Sequence, residues 1–308
     1  MTAIVFIAVY AGALIFVVGC IRRVVQYART PVHLRWEIYP VPHEAPERAA
    51  HGGSYFEEDS WWTRPQHFSL SGELTAMVPE MLFLKALWEF NRRLWYASFL
   101  FHFGLYLVIG SALLVAITAA MSVIAPGAVA IIAGLSALYH GTGWAGAILV
   151  LIGAGSLLIR RLTIPELKIY NTGADIANLF FFLATFAVLL GGLALQPEGA
   201  NLRDMVRGLL TFQTATPIGS VFGTGVVMAS ALAAYIPFTH MSHFIAKYFT
   251  YHEVRWDDRI NLRGGELEAK LLPYFGYRPT WAAAHMRADG NKTWAEIVAI
   301  NPAAEIKK

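Results

Sequence analysis

The sequence predicts an all-α integral membrane protein, five transmembrane helices with a cytoplasmic loop and tail. Three observations predict it. Of 308 residues, 56% are hydrophobic and 15% charged, a balance too apolar for an ordinary soluble domain. Five stretches are nearly uncharged and approach or exceed the length of about 20 apolar residues that a helix needs to cross the bilayer core. Lys and Arg gather beside the ends of these stretches on one side, the asymmetry of a multi-pass chain.

The first span runs from Ala3 to Ile21. It ends in V-V-G-C, a sequence like a lipoprotein cleavage box. Its positive charges, Arg22 and Arg23, follow the apolar run instead of preceding it, so an uncleaved anchor is expected over residues 1–21. A polar connection, residues 22–93, comes next. It contains E-I-Y-P-V-P-H-E and G-G-S-Y-F-E-E-D-S-W-W-T-R-P, irregular stretches suited to a partner or a membrane surface. Its end, from Glu73 to Arg93, carries Leu, Met, Phe and Trp at helical spacing, the pattern of a helix lying in the interface.

The second span runs from Leu94 to about Ser122, and the third from about Gly141 to Ile159. Between them, Val129 to Tyr139 is apolar but too short to cross, and reads as an outer-side loop or interfacial helix. The fourth span covers Gly173 to Leu195. The fifth covers about Ile218 to Tyr248, long enough to tilt or project. Residues 94–249 thus form a four-helix membrane region, and residues 250–308 a polar tail. With the N-terminus outside, all but Arg203 and Arg207 of the 24 Lys and Arg fall on the inner side. The expectation is N-out and C-in, in a prokaryotic inner membrane.

Composition also excludes several functions. The lone Cys20 permits no intramolecular disulfide and no iron–sulfur cluster held by this chain's cysteines alone. A net charge of +3 gives no sign of nucleic-acid binding. No substrate-oxidising constellation is present. Histidine is the remaining supply of ligands for a redox centre.

Most of the ten histidines fit solvated positions. His33, His43, His51 and His67 match no zinc spacing, and His252 and His285 belong to the tail. His140 precedes the third span near the outer surface. It reads as an interfacial histidine, with a quinone headgroup contact as the alternative. His102 lies within the second span in F-L-F-H-F-G, where a polar ring is costly without a partner. A neighbouring helix or a haem iron would serve. His240 and His243 close the fifth span in Y-I-P-F-T-H-M-S-H-F, where Pro237 frees a carbonyl and can kink the helix. At about 1.5 Å per residue, His102 lies roughly 14 Å beyond Arg93, His240 roughly 10 Å before Lys247 and His243 roughly 6 Å. Depth alone slightly favours His240 as the partner of His102. In the fourth span, Asp175 and Asn178 could line a polar pocket, cap the helix start or simply meet water, and capping suits an acid in the first turn.

F-H-x-G early in the second span and P-F-T-x-x-x-H late in the fifth, in an N-out layout of five spans, resemble the cytochrome b subunit of respiratory nitrate reductase. They are also similar to the membrane cytochromes of dissimilatory sulfite-reduction (DsrM-type) complexes and of membrane heterodisulfide reductases. The resemblance covers about Leu94 to Lys247. It implies His102 and His243 as the axial ligands of the haem nearer the cytoplasm, with His240 beside a propionate. Arg92 and Arg93 are further propionate candidates. The nitrate reductase subunit has a second histidine pair, and here those positions carry Ala112 and Gly225. The resemblance therefore implies one haem b.

The expected function is a cytochrome b subunit exchanging electrons between menaquinone and a cytoplasmic partner. That partner would be an iron–sulfur protein of heterodisulfide reductase type or a flavoprotein. The alternative is a haem-free anchor or a small-solute or proton transporter with structural histidines. A third reading adds a second haem on His140.

Overall fold

The computed structural model describes residues 1–30, 41–51, 54–66, 68–195, 201–214, 217–280 and 288–300. His33, His67 and His285 lie outside the described residues, as does the side chain of His51. The helices are α1 (Thr2–Ala28), α2 (Pro46–His51), α3 (Leu70–Phe83), α4 (Lys85–Phe90), α5 (Arg92–Ile124), α6 (Val129–Thr163), α7 (Pro165–Lys168), α8 (Gly173–Leu195), α9 (Leu202–Thr211), α10 (Ser220–Tyr235), α11 (His243–Phe249), α12 (Glu266–Phe275) and α13 (Trp294–Val298). The all-α class is as expected. Among the described residues, five helices are long and apolar enough to span a membrane: α1, α5, α6, α8 and the stretch Ser220–Phe238. The chain divides into two compact units. One comprises Met1–Ile21 and Leu70–Ser242, the other Arg22–Ser69 and His243–Lys308.

In the first unit, α5 and α6 form an antiparallel hairpin that turns at Pro126-Gly127. Glycines let the two backbones touch. A Cβ on Gly153 would lie 2.4 Å from the Phe101 nitrogen, and one on Gly104 would lie 2.7 Å from the Val150 nitrogen. Apolar side chains have no hydrophobic drive to associate within lipid, so close backbone approach supplies the packing. Around this crossing Phe101, Val150, Ala154, Phe182 and Phe186 make one apolar core. The other glycine crossings follow the same rule. Gly192 sits on Phe222, and Gly12 and Gly19 of α1 sit on Ser230 and Pro237.

The third span differs from expectation. The run Val129–Tyr139 is the first part of α6, one helix of 35 residues, about 52 Å long at 1.5 Å per residue. The H-G-T-G stretch does not break it. The Thr142 hydroxyl donates back to Leu138 O at 2.8 Å, and Ser111 of α5 donates to Tyr139 O at 2.7 Å. Length beyond the roughly 30 Å hydrocarbon core must tilt or project.

The fifth span also differs. It is not one helix to Tyr248. The α-helix ends at Tyr235, a tight turn covers Ile236–Phe238, Thr239 is extended (φ −120°, ψ 176°), and a second turn covers His240–Ser242. Pro237 has no N–H to continue the ladder. Thr239 takes over both sides of the break: its hydroxyl donates to Ile236 O and accepts from Met241 N. His240 and His243 therefore do not share a helix.

Between α8 and α10 lies α9, a helix absent from the sequence expectations. Asn201 caps it by accepting from Asp204 N. Met205 and Leu209 join Val5, Phe6 and Phe222 in a second apolar core, and the Tyr10 hydroxyl donates to Leu209 O at 2.5 Å.

The second unit joins two segments far apart in sequence. The ring of His43 pairs with Asp258 at 2.6 Å, and Gln66 donates to Asp258 O. Buried Glu44 accepts from Val41 N, Ser54 Oγ and Tyr55 N. Asp257, whose side chain is almost fully buried, accepts from Arg259, and that bond pushes the guanidinium further above its already high value. Glu44→Ala strips three donors of their acceptor, at a cost of about 3 kcal/mol. Thermal unfolding followed by tryptophan fluorescence should show the loss, and an unchanged transition would contradict it.

Candidate functional site

His102 stands three turns into α5, half-buried, one residue past the glycine-packed Phe101. Its Nδ1 lies 2.7 Å from the Ser98 carbonyl oxygen. A carbonyl can only accept, so the proton sits on Nδ1 and the lone pair on Nε2. This is the tautomer in which neutral imidazole ligates through Nε2, with the carbonyl fixing ring orientation and raising basicity. Small neighbours allow the pose: Ala97 and Ser98 are buried one turn earlier. Behind the ring, Phe101 meets the imidazole edge-on at 5.4 Å and Phe182 at 4.9 Å.

Arg92 and Arg93 begin α5, both exposed. The Arg92 guanidinium lies 4.5 Å over the Trp88 ring, and its Nε donates to Trp88 O at 3.3 Å. Arg92 is thus held along α4.

His240 belongs to a polar cluster in the first unit. Its Nε2 is 3.9 Å from Asp175, which also lies 3.7 Å from Arg161. Asp175 accepts from the backbone and hydroxyl of Thr172, and Thr172 Oγ1 accepts from Asp175 N. The acid therefore caps α8, as its first-turn position suggested, and adds a carboxylate between two bases. Asn171 fixes Arg161 by exchanging two hydrogen bonds with it. In the sequence, Arg161 is one of the basic residues that gather on the inner side of the spans. Its place ten residues before Asn171, across one short connection, was the available signal.

His243 is the exposed first residue of α11 and belongs to the second unit. His140 lies exposed inside α6, beside Tyr139. On α8, Asn178 Oδ1 and Thr185 Oγ1 are buried without a hydrogen-bond partner among the described residues. They stand seven residues apart, on one face.

Among the described residues, no group of three or more His, Cys, Asp or Glu could hold a metal ion. An iron bound at His102 would need equatorial ligands from a prosthetic group. Haem supplies four nitrogens and asks the protein only for axial ones, and the tautomer of His102 fits that demand.

A multi-pass helical membrane protein with a half-buried histidine inside one span is the class that fold and residue chemistry define. The chain belongs to the nitrate reductase gamma subunit family, whose model matches residues 87–257. Members of this family are membrane cytochrome b electron-transfer subunits of respiratory oxidoreductase complexes; they bind haem b and work with quinone. No curated protein matches the chain.

Proposed function

We propose that this chain carries electrons between menaquinone and a cytoplasmic iron–sulfur protein of heterodisulfide reductase type, or a flavoprotein, through one haem b. His102 and His243 are its axial ligands. His240 and Arg93 face its propionates, with Arg92 a weaker candidate because Trp88 already holds it. The single observation that carries the reading is the Nδ1–H bond from His102 to Ser98 O, which presents Nε2 as the ligating atom. Bound haem supplies reversible one-electron storage, and the protein sets its potential by ligation, burial and nearby charge. Basic residues fall almost wholly on one side of the spans, which supports an N-out, C-in chain.

A single haem is favoured by the packing at Gly225. A Cβ there would lie 3.0 Å from Leu189 Cα and 2.9 Å from its Cδ2, so the close approach of α8 and α10 disfavours an imidazole at that position.

The protein purified with its membrane partners should show a reduced b-type spectrum that His243→Ala abolishes. A spectrum persisting at full intensity would move the second ligand elsewhere. His240→Ala should keep the spectrum. It should lower the midpoint potential, because losing an imidazole N–H donor to a propionate leaves more negative charge beside the haem and favours its oxidised form. Loss of haem in this variant would make His240 the ligand instead. Total absence of haem absorbance in the wild-type protein would promote the haem-free transporter reading.

A further inference from the structure

We propose that α9 lies in the headgroup region of one leaflet and holds the phosphate of an anionic phospholipid with Arg203 and Arg207, while Leu210 and Phe212 enter the acyl chains. In the N-out orientation proposed above, that leaflet is the outer one.

The packing of α9 sets its level. Leu193 lies two residues before the end of α8, and Phe222 two residues after the start of α10. Both belong to the apolar cluster that holds Met205 and Leu209. Two residues are about 3 Å of helix, so α9 sits where these two spans end. Gly208 lets it close on α1: a Cβ there would lie 3.0 Å from the Phe6 ring. A guanidinium within hydrocarbon is costly. A helix with two of them, at the ends of two spans, belongs along the interface.

The faces of α9 divide cleanly. Leu202, Met205 and Leu209 pack into the cluster. Arg203, Arg207 and Leu210, spaced four and three apart, form a second stripe that faces away from it. Arg207 and Leu210 are exposed and Arg203 is half-exposed. Arg203 Nε donates to Asp204 at 3.3 Å. Arg207 makes no ion pair among the described residues. Two arginines against one aspartate leave this surface one net positive charge.

Phe212 ends the helix in the left-handed region, φ 58°, which is costly for a side-chain-bearing residue. Its ring stacks on Tyr10 at 5.9 Å yet stays 81% exposed. Water would not repay that strain, whereas burial among acyl chains offsets it. Arginines reach for phosphate while their apolar stems stay in the acyl boundary. Two guanidiniums one turn apart suit a phosphate group, and the net positive charge favours an anionic headgroup over a zwitterionic one.

Lipid quenching tests the site in full-length protein reconstituted in phosphatidylcholine vesicles. The background is Cys20→Ser, which removes the only native thiol, with a fluorophore at Leu210→Cys. One set of vesicles holds a small fraction of acyl-brominated phosphatidylglycerol, the other the same fraction of brominated phosphatidylcholine. Bromine quenches at short range, so the signal reads the lipid beside α9. Phosphatidylglycerol should quench as though enriched about fivefold, the preference one positive charge confers near the surface. Arg203→Gln with Arg207→Gln should make the two lipids equal, and Lys at both positions should keep the preference. If the Gln pair does not reconstitute, the comparison of the two lipids in the parent protein decides alone. A label at Ile109→Cys, exposed in mid-span on α5, should show no preference. Equal quenching at position 210, a preference that survives the Gln pair, or the same preference at position 109 would each overturn the proposal. So would absence of quenching, which would place α9 in water or against a protein. Inorganic phosphate, compared with sodium chloride at matched ionic strength, should leave the preference intact. Its loss would mean a site for a soluble anion and overturn the proposal as well.

Discussion

His102→Ala should leave the protein in the membrane at normal abundance but without its b-type spectrum. The expected loss is complete because haem iron in a six-coordinate site depends on both axial nitrogens, and no neighbour of His102 on α5 offers another. Ser98 and Phe101 flank it, and neither is a haem ligand. The fold should survive, since the glycine crossing that positions α5 is made by Phe101 and Gly104, not by the imidazole. The truncation also leaves a space of imidazole shape, so imidazole added to the buffer should restore part of the absorbance. His102→Gln is the useful companion, because it keeps bulk and a donor while removing the nitrogen ligand. It too should lack the spectrum. Retained absorbance in either variant would move the haem away from His102.

The second large effect is steric. Gly153→Val should destabilise the first unit by about 3 kcal/mol or more, since overpacking forces backbone shifts. The added carbons would stand where the Phe101 backbone already lies, 2.4 Å from the new Cβ. Relief requires moving α5, and His102 is the next residue. Haem content should therefore fall with stability. Gly155→Val is the control, two residues further along α6, where nothing lies within 4 Å of a new Cβ. Thermal unfolding in detergent should separate the two variants clearly. Equal behaviour would mean that the α5–α6 crossing is not the tight one described.

Much of this was legible in the sequence because hydropathy is a local signal. The long apolar runs marked all five spans, and the fourth was bounded as observed, Gly173 to Leu195. Asp175 read correctly as a cap, since capping needs only a first-turn acid and a threonine three residues earlier. The failures are non-local. H-G-T-G resembles a break, but Ser111 from another helix stitches it into α6. Pro237 looked like a kink, while the full break depends on Thr239 accepting and donating across it. The polar loop and tail read as two separate regions, because nothing near His43 announces Asp258, 215 residues away. As for α9, its ten residues are too few to stand out between two spans.

The candidate site divides along the same line. His102 was singled out because a histidine within an apolar span is costly. Its proton position follows from the Ser98 carbonyl four residues back on the helix, a partner that helical spacing alone brings within reach. The Arg161–Asp175–His240 cluster required three chain ends to converge. No spacing within one span encodes that.

The central claim is one haem held between two imidazoles. The measurement that tests it most directly is haem per polypeptide in the purified complex, read with the low-temperature spin-resonance spectrum of the oxidised protein. The account predicts about one haem b per chain, with a low-spin signal of bis-imidazole ligation that disappears in His102→Ala. A ratio near zero, a ratio near two, or a high-spin five-coordinate signal in the wild-type protein would contradict it.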